Sequence, residues 1–553
     1  MKVKTDELVA EKEAKEVSEA IKDLDILTEK SKDLRYNKNQ YVGAVLFNFW
    51  KENKDCNSKY RRMKMGVLNN LVPEKVFYYF EELCNIPHGS KNTKAISDYC
   101  VNFAKERGLA YHQDASNNII ILKNGSKGYE DSKPVIIQGH LDMVCEKEKD
   151  CTIDFEKDGL DLAIDGDYIY AKGTTLGGDD GIAVAMALAI LDDDTLEHPP
   201  IEAVFTVDEE IGMLGAVAMD CSSLKSRLML NLDSENEGHF LVGCAGGMMV
   251  ECVFPAERRR WSGKVVSVHV NGVTGGHSGV EIQKQGANAN VILGRVLYAL
   301  KKKVAFNVIC VDGGLKDNAI TRSSRAILML APGEEEIFMD IIKEQQEIIT
   351  KEYHKTDANM SIEGFLEVSK EDEASAAGKM PLTEACGNAV IAALRTFPWG
   401  VQKMSQDMEG LVQTSLNPGI LATKEDEISL TFSVRSSVAS EKEELYERLV
   451  CLTESLGGKV NRSSDYPAWE YVEDSKLRIL MGDTYREMYK KEPVMEVIHA
   501  GVECGLFSEK MPGLDCVSYG PDIFDIHTPQ ERLSISSTKR IYEYTVEVLK
   551  RLK

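Results

Sequence analysis

The stretch PVIIQGHLDMVC, residues 134–145, contains the pattern around which the rest of the chain is organised. Its β-branched run at residues 135–137 predicts a strand that is buried on both faces. His140 and Asp142 follow this run at once, so polar side chains stand where the strand ends. In an open α/β sheet, ligands bind in the crevice outside the carboxyl ends of the strands. We therefore expect a functional site beside His140.

Acidic residues accompany other apolar runs in the same way. The cases are residues 203–207 before Asp208, Glu209 and Glu210, residues 228–232 before Asp233, and the helical run 181–191 after Asp179 and Asp180. This βαβ alternation predicts an α/β fold with a mainly parallel sheet flanked by helices. Carboxylates gathered at one sheet edge would repel one another unless cations held them, so the pattern predicts a divalent-metal site.

Length, charge and hydropathy narrow the class of protein. With 553 residues, of which 43% are hydrophobic and 28% are charged, the chain is expected to be globular and to have at least two domains. Its net charge of −23 argues against nucleic acid or an anionic membrane as partner, because both would repel it. The apolar helical run at residues 181–191 is about half of the ~20 residues that a bilayer span needs, so no membrane segment is expected.

The amino terminus and the cysteines indicate a cytoplasmic protein. The opening MKVKTDELVAEKEAKEV has no apolar core and no cleavage pattern, so no secretion signal is predicted. The 13 cysteines are odd in number and are never spaced as C-x-x-C, which favours reduced thiols over disulfides or zinc ligation.

Changes of pattern along the chain predict three parts. Residues 1–64, rich in Lys, Glu, Asp and Asn, are interpreted as an N-terminal extension, either disordered or the product of a wrong start site. Residues 65–246 and 469–553 form the domain that carries the acidic strand ends. Alternating segments such as VVSVHV (265–270) and ISLTFSVRS (428–436) indicate half-exposed strands of an α+β domain inserted at residues 247–468.

Each candidate residue also has a simpler interpretation when it is considered alone. His140 could be a structural histidine, although Asp142 could fix the tautomer of a ligating imidazole. Asp179 and Asp180 could merely cap a helix. The remaining candidates could simply be solvated: Glu209, Glu210, Asp233 and His527. Their occurrence in order around one predicted sheet edge favours a shared site.

Seven motifs give the sequence a family resemblance. They are GHLDMVCEKE (139–148), GTTLGGDDG (173–181), TVDEEIGMLGA (206–216), NLDSE (231–235), GGHSG (275–279), HAGVECG (499–505) and HTPQE (527–531). With them the chain resembles the M20 metallopeptidases, in particular their dipeptidase branch, from residue 65 to the carboxyl end. Residues 1–64 have no counterpart. The resemblance implies a catalytic domain of the zinc-peptidase type with an inserted α+β lid domain.

The resemblance also implies a centre for two divalent metal ions, zinc in the first place, with cobalt and manganese as alternatives. One ion would take His140 and Asp233, the other would take Glu210 and His527, and Asp179 would bridge them.

Further implied roles concern the neighbours of these ligands. Asp142 would orient His140, and Glu209 would act as the general base. The peptide bond between Asp179 and Asp180 is expected to be cis.

Three residues of the second half are candidates for substrate binding. His277 could lie in a tight Gly turn with Ser278 capping a helix, or, as the resemblance implies, reach the oxyanion of the tetrahedral intermediate. Arg435 could be a surface charge or could bind the terminal carboxylate of a substrate. His499 could form a helical ion pair with Glu503 or line the substrate end.

The leading hypothesis for function is hydrolysis of unblocked dipeptides with broad specificity, including Xaa-His, by a metal-activated water. The alternative is a related tripeptidase or N-acyl amino acid deacylase that uses the same metals. A serine hydrolase is disfavoured, since GGHSGV lacks the second glycine of G-x-S-x-G. A non-enzymatic carrier would not need Glu209 beside Glu210. The sequence leaves homodimer formation open.

Overall fold

The structure is a computed structural model and describes residues 66–553. Strands and helices alternate along this part of the chain. The predicted N-terminal extension, residues 1–64, lies outside the described residues. Val67–Lys553 form one compact unit.

The helices of the described residues include the predicted apolar helix and the closing helix. In chain order they are α1 (Glu74–Cys84), α2 (Lys94–Glu106), α3 (Gly178–Leu191), α4 (Leu214–Ala218), α5 (Ala289–Lys301), α6 (Glu335–Glu352), α7 (Lys370–Ala376), α8 (Glu384–Thr396), α9 (Ala439–Ser455), α10 (Lys476–Tyr489), α11 (Glu503–Lys510) and α12 (Ile535–Arg551).

The strands form two large sheets and two small ones. In chain order they are β1 (Ala110–Gln113), β2 (Ile119–Lys123), β3 (Val135–His140), β4 (Leu162–Asp165), β5 (Tyr168–Ala171), β6 (Ile201–Thr206), β7 (Leu228–Asn231), β8 (His239–Cys244), β9 (Gly246–Pro255), β10 (Lys264–Asn271), β11 (Gly276–His277), β12 (Phe306–Gly313), β13 (Ala319–Ile320), β14 (Ser324–Leu330), β15 (Ser361–Phe365), β16 (Gly400–Met404), β17 (Val412–Thr423), β18 (Glu427–Ser436), β19 (Lys459–Tyr466), β20 (Val494–Ile498), β21 (Asp515–Ser518), β22 (Ile523–Phe524) and β23 (Arg532–Ser534).

The eight-stranded sheet has the strand order β1-β2-β6-β3-β7-β21-β8-β20. The pairings β6–β3, β3–β7, β7–β21 and β8–β20 are parallel, whereas β1–β2, β2–β6 and β21–β8 are antiparallel. The predicted parallel sheet is therefore present at the centre, with antiparallel pairings toward both edges. Because β3, β6 and β7 run side by side in the same direction, the polar residues that follow them emerge together.

The helix α3 is buried along its whole apolar length and packs on this sheet. Every residue from Gly181 to Leu191 is buried, which is the environment expected of a helix that is apolar on all sides. It packs against β3 on one side and against α1 on the other. The predicted helix at residues 181–191 is confirmed, and it places Asp179 beside the carboxyl end of β3.

The nine-stranded sheet has the order β15-β10-β14-β12-β17-β18-β9-β19, with β16 added beside β17. All of its strands lie between Gly246 and Tyr466, and helices α5, α6, α8 and α9 contribute to its core. The mixed α/β architecture with a lid domain follows the expectation. The domain limits 65–246, 247–468 and 469–553 stay a prediction.

One expectation about this second sheet was wrong. The alternation of β18 predicted a strand with one solvated face, but all of its residues except the first are buried. The apolar set of Ile428, Leu430, Phe432 and Val434 faces the core, and the intervening polar residues are covered as well. Alternation shows which residues share a face, but it does not show whether the polar face is exposed.

No helix within residues 66–553 combines the length and the apolar character that a membrane crossing requires.

Strand β2 offers a direct test of the packing, because two neighbouring residues on it face opposite sides. Ile121 is fully buried, whereas Leu122 is 43% exposed. We expect Ile121→Ala to lower the free energy of unfolding by about 2–5 kcal/mol, since it removes buried methyl groups and leaves a cavity. Leu122→Ala should change it by about 0.5 kcal/mol or less. Urea denaturation followed by circular dichroism measures both, and equal losses would contradict the assigned register.

Candidate metal centre

The five predicted ligands come from five separate segments that meet at the carboxyl edge of the eight-stranded sheet. They are His140 at the end of β3, Asp179 at the start of α3, Glu210 after β6, Asp233 after β7 and His527 in the loop between β22 and β23. Their ligand atoms form two groups, each with members within 4.8 Å of one another, and Asp179 belongs to both groups.

The first group is enclosed by the fold. It consists of His140, Asp179 and Asp233, with His140 only 1% exposed. Nε2 of His140 lies 3.1 Å from Oδ1 of Asp179 and 3.8 Å from Oδ1 of Asp233. One imidazole nitrogen and two carboxylates thus converge on one point.

The second group lies nearer to the solvent. It consists of Asp179, Glu210 and His527, and the His527 side chain is 46% exposed. Nε2 of His527 lies 3.1 Å from Oδ2 of Asp179 and 3.1 Å from Oε2 of Glu210. The two oxygens of Asp179 therefore face different histidines, as a bridging carboxylate requires.

Two observations show that this donor set fits divalent cations. Oε1 of Glu210 is buried and has no hydrogen-bond partner among residues 66–553. Burial, reinforced by neighbouring carboxylates, raises the pKa of Glu209 to about 8 and that of Glu235 to about 7. Hydrogen bonds to Asp179 and Glu210 also raise the pKa of His527 to about 10, so protons hold this group together when no metal is bound. Divalent cations would take the place of these protons, and imidazole with carboxylate is a ligand set that suits zinc, cobalt or manganese.

Asp142 is buried and holds the turn that follows β6. Its Oδ1 accepts a hydrogen bond from the N–H of Glu209 at 3.0 Å, and its Oδ2 accepts from the N–H of Glu210 at 3.4 Å and from Oγ of Ser90 at 2.8 Å. Nδ1 of His140 lies 3.0 Å from the carbonyl oxygen of Asp142 and 3.5 Å from Oδ1. Asp142 thus touches both the histidine and the acidic turn.

Glu209 stands beside Glu210 and belongs to neither donor group. Its carbonyl oxygen accepts hydrogen bonds from the N–H groups of Gly212 at 2.9 Å and Met213 at 2.7 Å, which closes the turn. The charges of His140 and Asp179 act on the pKa of the Glu209 carboxyl, so this group lies near the centre although it belongs to neither group of donors.

The start of α3 has the conformation that the resemblance implied. The peptide bond between Asp179 and Asp180 is cis, and α3 begins without a side-chain cap, so the capping interpretation was wrong. Asp180 is buried, and its Oδ2 accepts a hydrogen bond from the N–H of His140 at 3.1 Å. A Cβ at Gly139 would lie 2.5 Å from that oxygen, so only glycine fits at this point of β3.

Arg435 is buried, so its interpretation as a surface charge was wrong. It lies on β18, and its Nη1 donates a hydrogen bond to the hydroxyl of Tyr466 at 3.0 Å. Its Nε is buried without a partner among the described residues. The Nε–H of the guanidinium is therefore a donor that no neighbouring residue of the described chain accepts.

His499 lies between β20 and α11, so the helical ion pair with Glu503 was a wrong prediction. The helix begins only at Glu503, whose carboxylate is engaged elsewhere. Nε2 of His499 lies 2.7 Å from Oγ of Ser415, and Nδ1 is buried without a partner in the described part of the chain. Burial, together with Arg435 nearby, lowers the pKa of His499 to about 3, so the imidazole is neutral.

His277 is on the two-residue strand β11, which pairs with β13. Its Nδ1 accepts hydrogen bonds from the N–H groups of Gly279 at 3.2 Å and Val280 at 3.3 Å, so the proton of the neutral ring is on Nε2. Burial, with Arg435 nearby, lowers its pKa. Ser278 caps no helix, because the next helical turn starts at Ile282, and this alternative was wrong.

The three candidate substrate residues lie close together: Gly279 contacts His277 and His499, and Arg435 lies near both histidines. A Cβ at Gly279 would lie 2.6 Å from the carbonyl oxygen of His499 and 2.9 Å from Cε1 of His277. Arg435 acts on the pKa of both histidines. These residues form a second, cationic cluster, and none of them belongs to the two donor groups.

The sequence reasoning missed two buried glutamates. Glu503 is fully buried, and its Oε2 accepts hydrogen bonds from Nε2 of Gln138 at 2.5 Å and from Oγ1 of Thr206 at 2.7 Å. The polar Gln138 inside an otherwise apolar run was the available signal. Glu531 is also buried, and it stands in the HTPQE motif without an assigned role.

Comparisons with known proteins agree with this geometry. The family model described as Peptidase family M20/M25/M40 matches residues 136–551. The cytosol non-specific dipeptidase of Escherichia coli is 34% identical over 490 residues, which cover 88% of this chain and 99% of that protein.

Solved structures give the same result. The crystal structure of aminoacylhistidine dipeptidase from Vibrio alginolyticus superposes with a TM-score of 0.81 at 33% identity, covering 88% of this chain and 98% of that chain. Aminopeptidase PepT from Bacillus cereus, at 14% identity and a TM-score of 0.50 with 87% and 99% coverage, shares the fold. The resemblance seen in the motifs is confirmed, and the chain belongs to peptidase family M20/M25/M40.

Proposed function

We propose that this protein is a cytoplasmic dipeptidase of broad specificity that depends on two divalent metal ions, zinc in the first place, and cleaves unblocked dipeptides, including Xaa-His. The observation that carries the proposal is the pair of donor groups joined by Asp179, with Glu209 alongside and outside both. The names of the relatives from Escherichia coli and Vibrio alginolyticus support dipeptides as the substrate class.

Some residues of the centre are assigned to metal binding and others to proton transfer. We assign His140 and Asp233 to one ion, Glu210 and His527 to the other, and Asp179 to both. When bound, the ions would supply Lewis acidity for the scissile carbonyl and for the attacking water.

Glu209 is the proton carrier in this proposal. Its raised pKa would be lowered by the charge of the bound ions, so that its carboxylate could accept the proton of the attacking water and later deliver it to the departing amine. Asp142 is a positioning residue, because its two oxygens hold the backbone of Glu209 and Glu210.

The cationic cluster is assigned to the carboxyl end of the substrate. Nε of Arg435 and Nδ1 of His499 are buried without partners among residues 66–553, and a substrate carboxylate would engage the guanidinium. Nδ1 of His277 is the acceptor, and its Nε2–H donates to no residue in the described part of the chain, which suits the oxyanion of the tetrahedral intermediate.

Metal removal tests the reaction class and the substrate class together. We expect chelation to abolish hydrolysis of an unblocked dipeptide and zinc, cobalt or manganese to restore it, since the crowded carboxylates need cations. Rates with a dipeptide, a tripeptide and an N-acetyl amino acid are measured in parallel. Activity that survives chelation would refute the metal centre, and a preference for the tripeptide or the N-acetyl compound would refute the dipeptidase assignment.

Glu209→Gln tests the proton carrier. We expect kcat to fall by about 100- to 10,000-fold, because the amide cannot accept a proton, whereas metal content stays at the wild-type level. Asp208→Asn is the matched control, since this neighbouring acid accepts a hydrogen bond from the N–H of Lys91 and belongs to neither donor group. Steady-state kinetics and elemental analysis give the answer, and wild-type turnover in the Gln variant would eliminate the mechanism.

Arg435→Met tests recognition of the substrate carboxylate. We expect KM for a dipeptide to rise by about 10- to 100-fold, because a charge-assisted hydrogen bond pair is lost. The preference for the dipeptide over its C-terminal amide should disappear as well. Arg295→Met, which removes an ion pair with Glu352 on the surface of the same domain, is the control. An unchanged preference in Arg435→Met would exclude the assigned contact.

A further inference from the structure

The side chain of Glu531 is surrounded by backbone donors from four consecutive residues. Its Oε2 accepts hydrogen bonds from the N–H groups of Leu176 at 2.7 Å and Gly177 at 3.2 Å. Its Oε1 accepts from Gly178 at 2.8 Å and Asp179 at 3.4 Å. Glu531 is only 2% exposed, so these contacts replace water almost completely. The carboxylate therefore fixes the backbone that leads into α3.

This contact joins two segments that carry ligands of the second donor group. Asp179 is the last of the four residues whose N–H groups bond Glu531, and His527 lies four positions before Glu531 in the same loop. The N–H of Glu531 donates to the carbonyl oxygen of Thr528 at 3.1 Å, so the loop is closed between His527 and Glu531. A single side chain thus connects the backbone at the shared ligand Asp179 to the loop that carries the more exposed histidine.

We propose that Glu531 is a positioning residue that holds Asp179 and His527 at metal-binding distance without ligating a metal itself. It belongs to neither donor group, and its side chain accepts all four of its hydrogen bonds from backbone N–H groups. The proposal rests on the proposed metal centre. Outer partners of metal ligands typically contribute about 10- to 100-fold to metal affinity, which is the scale expected here.

Glu202 provides a matched control for a purely structural effect. It is 5% exposed, and its carboxylate accepts hydrogen bonds from the N–H groups of Lys225 at 2.9 Å and Ser226 at 3.1 Å. It lies near the amino end of β6, at the opposite end of that strand from the metal ligands. Replacing Glu202 removes the same kind of interaction from a place where no ligand is held.

The test compares metal binding of the wild type, Glu531→Gln and Glu202→Gln in the absence of substrate. Metal-free full-length protein is titrated with Zn²⁺ by calorimetry, and hydrogen exchange is followed in the peptide that contains residues 176–179. In Glu531→Gln the side-chain NH₂ faces backbone donors. We expect affinity at one or both sites to fall by about 10- to 100-fold and the amides of residues 176–179 to exchange faster.

The remaining outcomes separate the proposals. Glu202→Gln is expected to bind Zn²⁺ as the wild type does, and an equal loss of affinity in both variants would reduce Glu531 to a structural residue. Wild-type affinity in Glu531→Gln would overturn the inference. If Glu531→Gln does not fold, Glu531→Asp, which shortens the reach to the four N–H groups, is judged by the same criterion. A wild type that binds fewer than two ions would instead refute the proposed centre.

Discussion

Electrostatic repulsion among carboxylates at the carboxyl edge of the eight-stranded sheet is the constraint on which the structure depends. The buried acids divide into two sets. Asp142, Asp180 and Glu531 accept hydrogen bonds from backbone N–H groups, which favour the charged carboxylate, although burial still raises the pKa of Asp180 and Glu531. Asp179 and Glu210 face histidines and other carboxylates instead. The first set has backbone donors, whereas the second set is crowded against His140 and His527 and would be balanced by divalent cations, so the fold prepares the positions of the donors.

The two donor groups are unequal in their access to solvent. His140 is enclosed at the end of a buried strand, whereas His527 stands in a loop and is about half exposed. A ligand on a strand is held by the sheet itself, but a ligand on a loop needs further contacts to keep its place. The hydrogen bonds between the Glu531 carboxylate and the backbone at the start of α3 provide such contacts. The enclosed group therefore derives its order from secondary structure, and the open group derives it from side-chain hydrogen bonds.

The sequence predicted the parts of this molecule that follow from local pattern. Apolar runs ending in acids located the strand ends, and the family motifs named the five side chains that the structure brings together in two groups. What it could not predict depends on contacts between distant segments. The partners of Glu531 are about 350 positions away along the chain, and no periodicity marks them. The burial of Arg435 likewise depends on how β18 is covered, which alternation alone does not reveal. The interpretation of residues 1–64 as an N-terminal extension stays a prediction, because they lie outside the described residues.

The dispersal of the five donors along the chain has a consequence for biosynthesis. The first, His140, and the last, His527, are separated by most of the polypeptide, and β21, which pairs with β7, is also translated late. A nascent chain on the ribosome cannot complete the second donor group until His527 has been synthesised. On the proposed assignment of His527 as a metal ligand, hydrolytic activity arises only after nearly the whole chain has emerged, so that unfinished polypeptides do not act as peptidases.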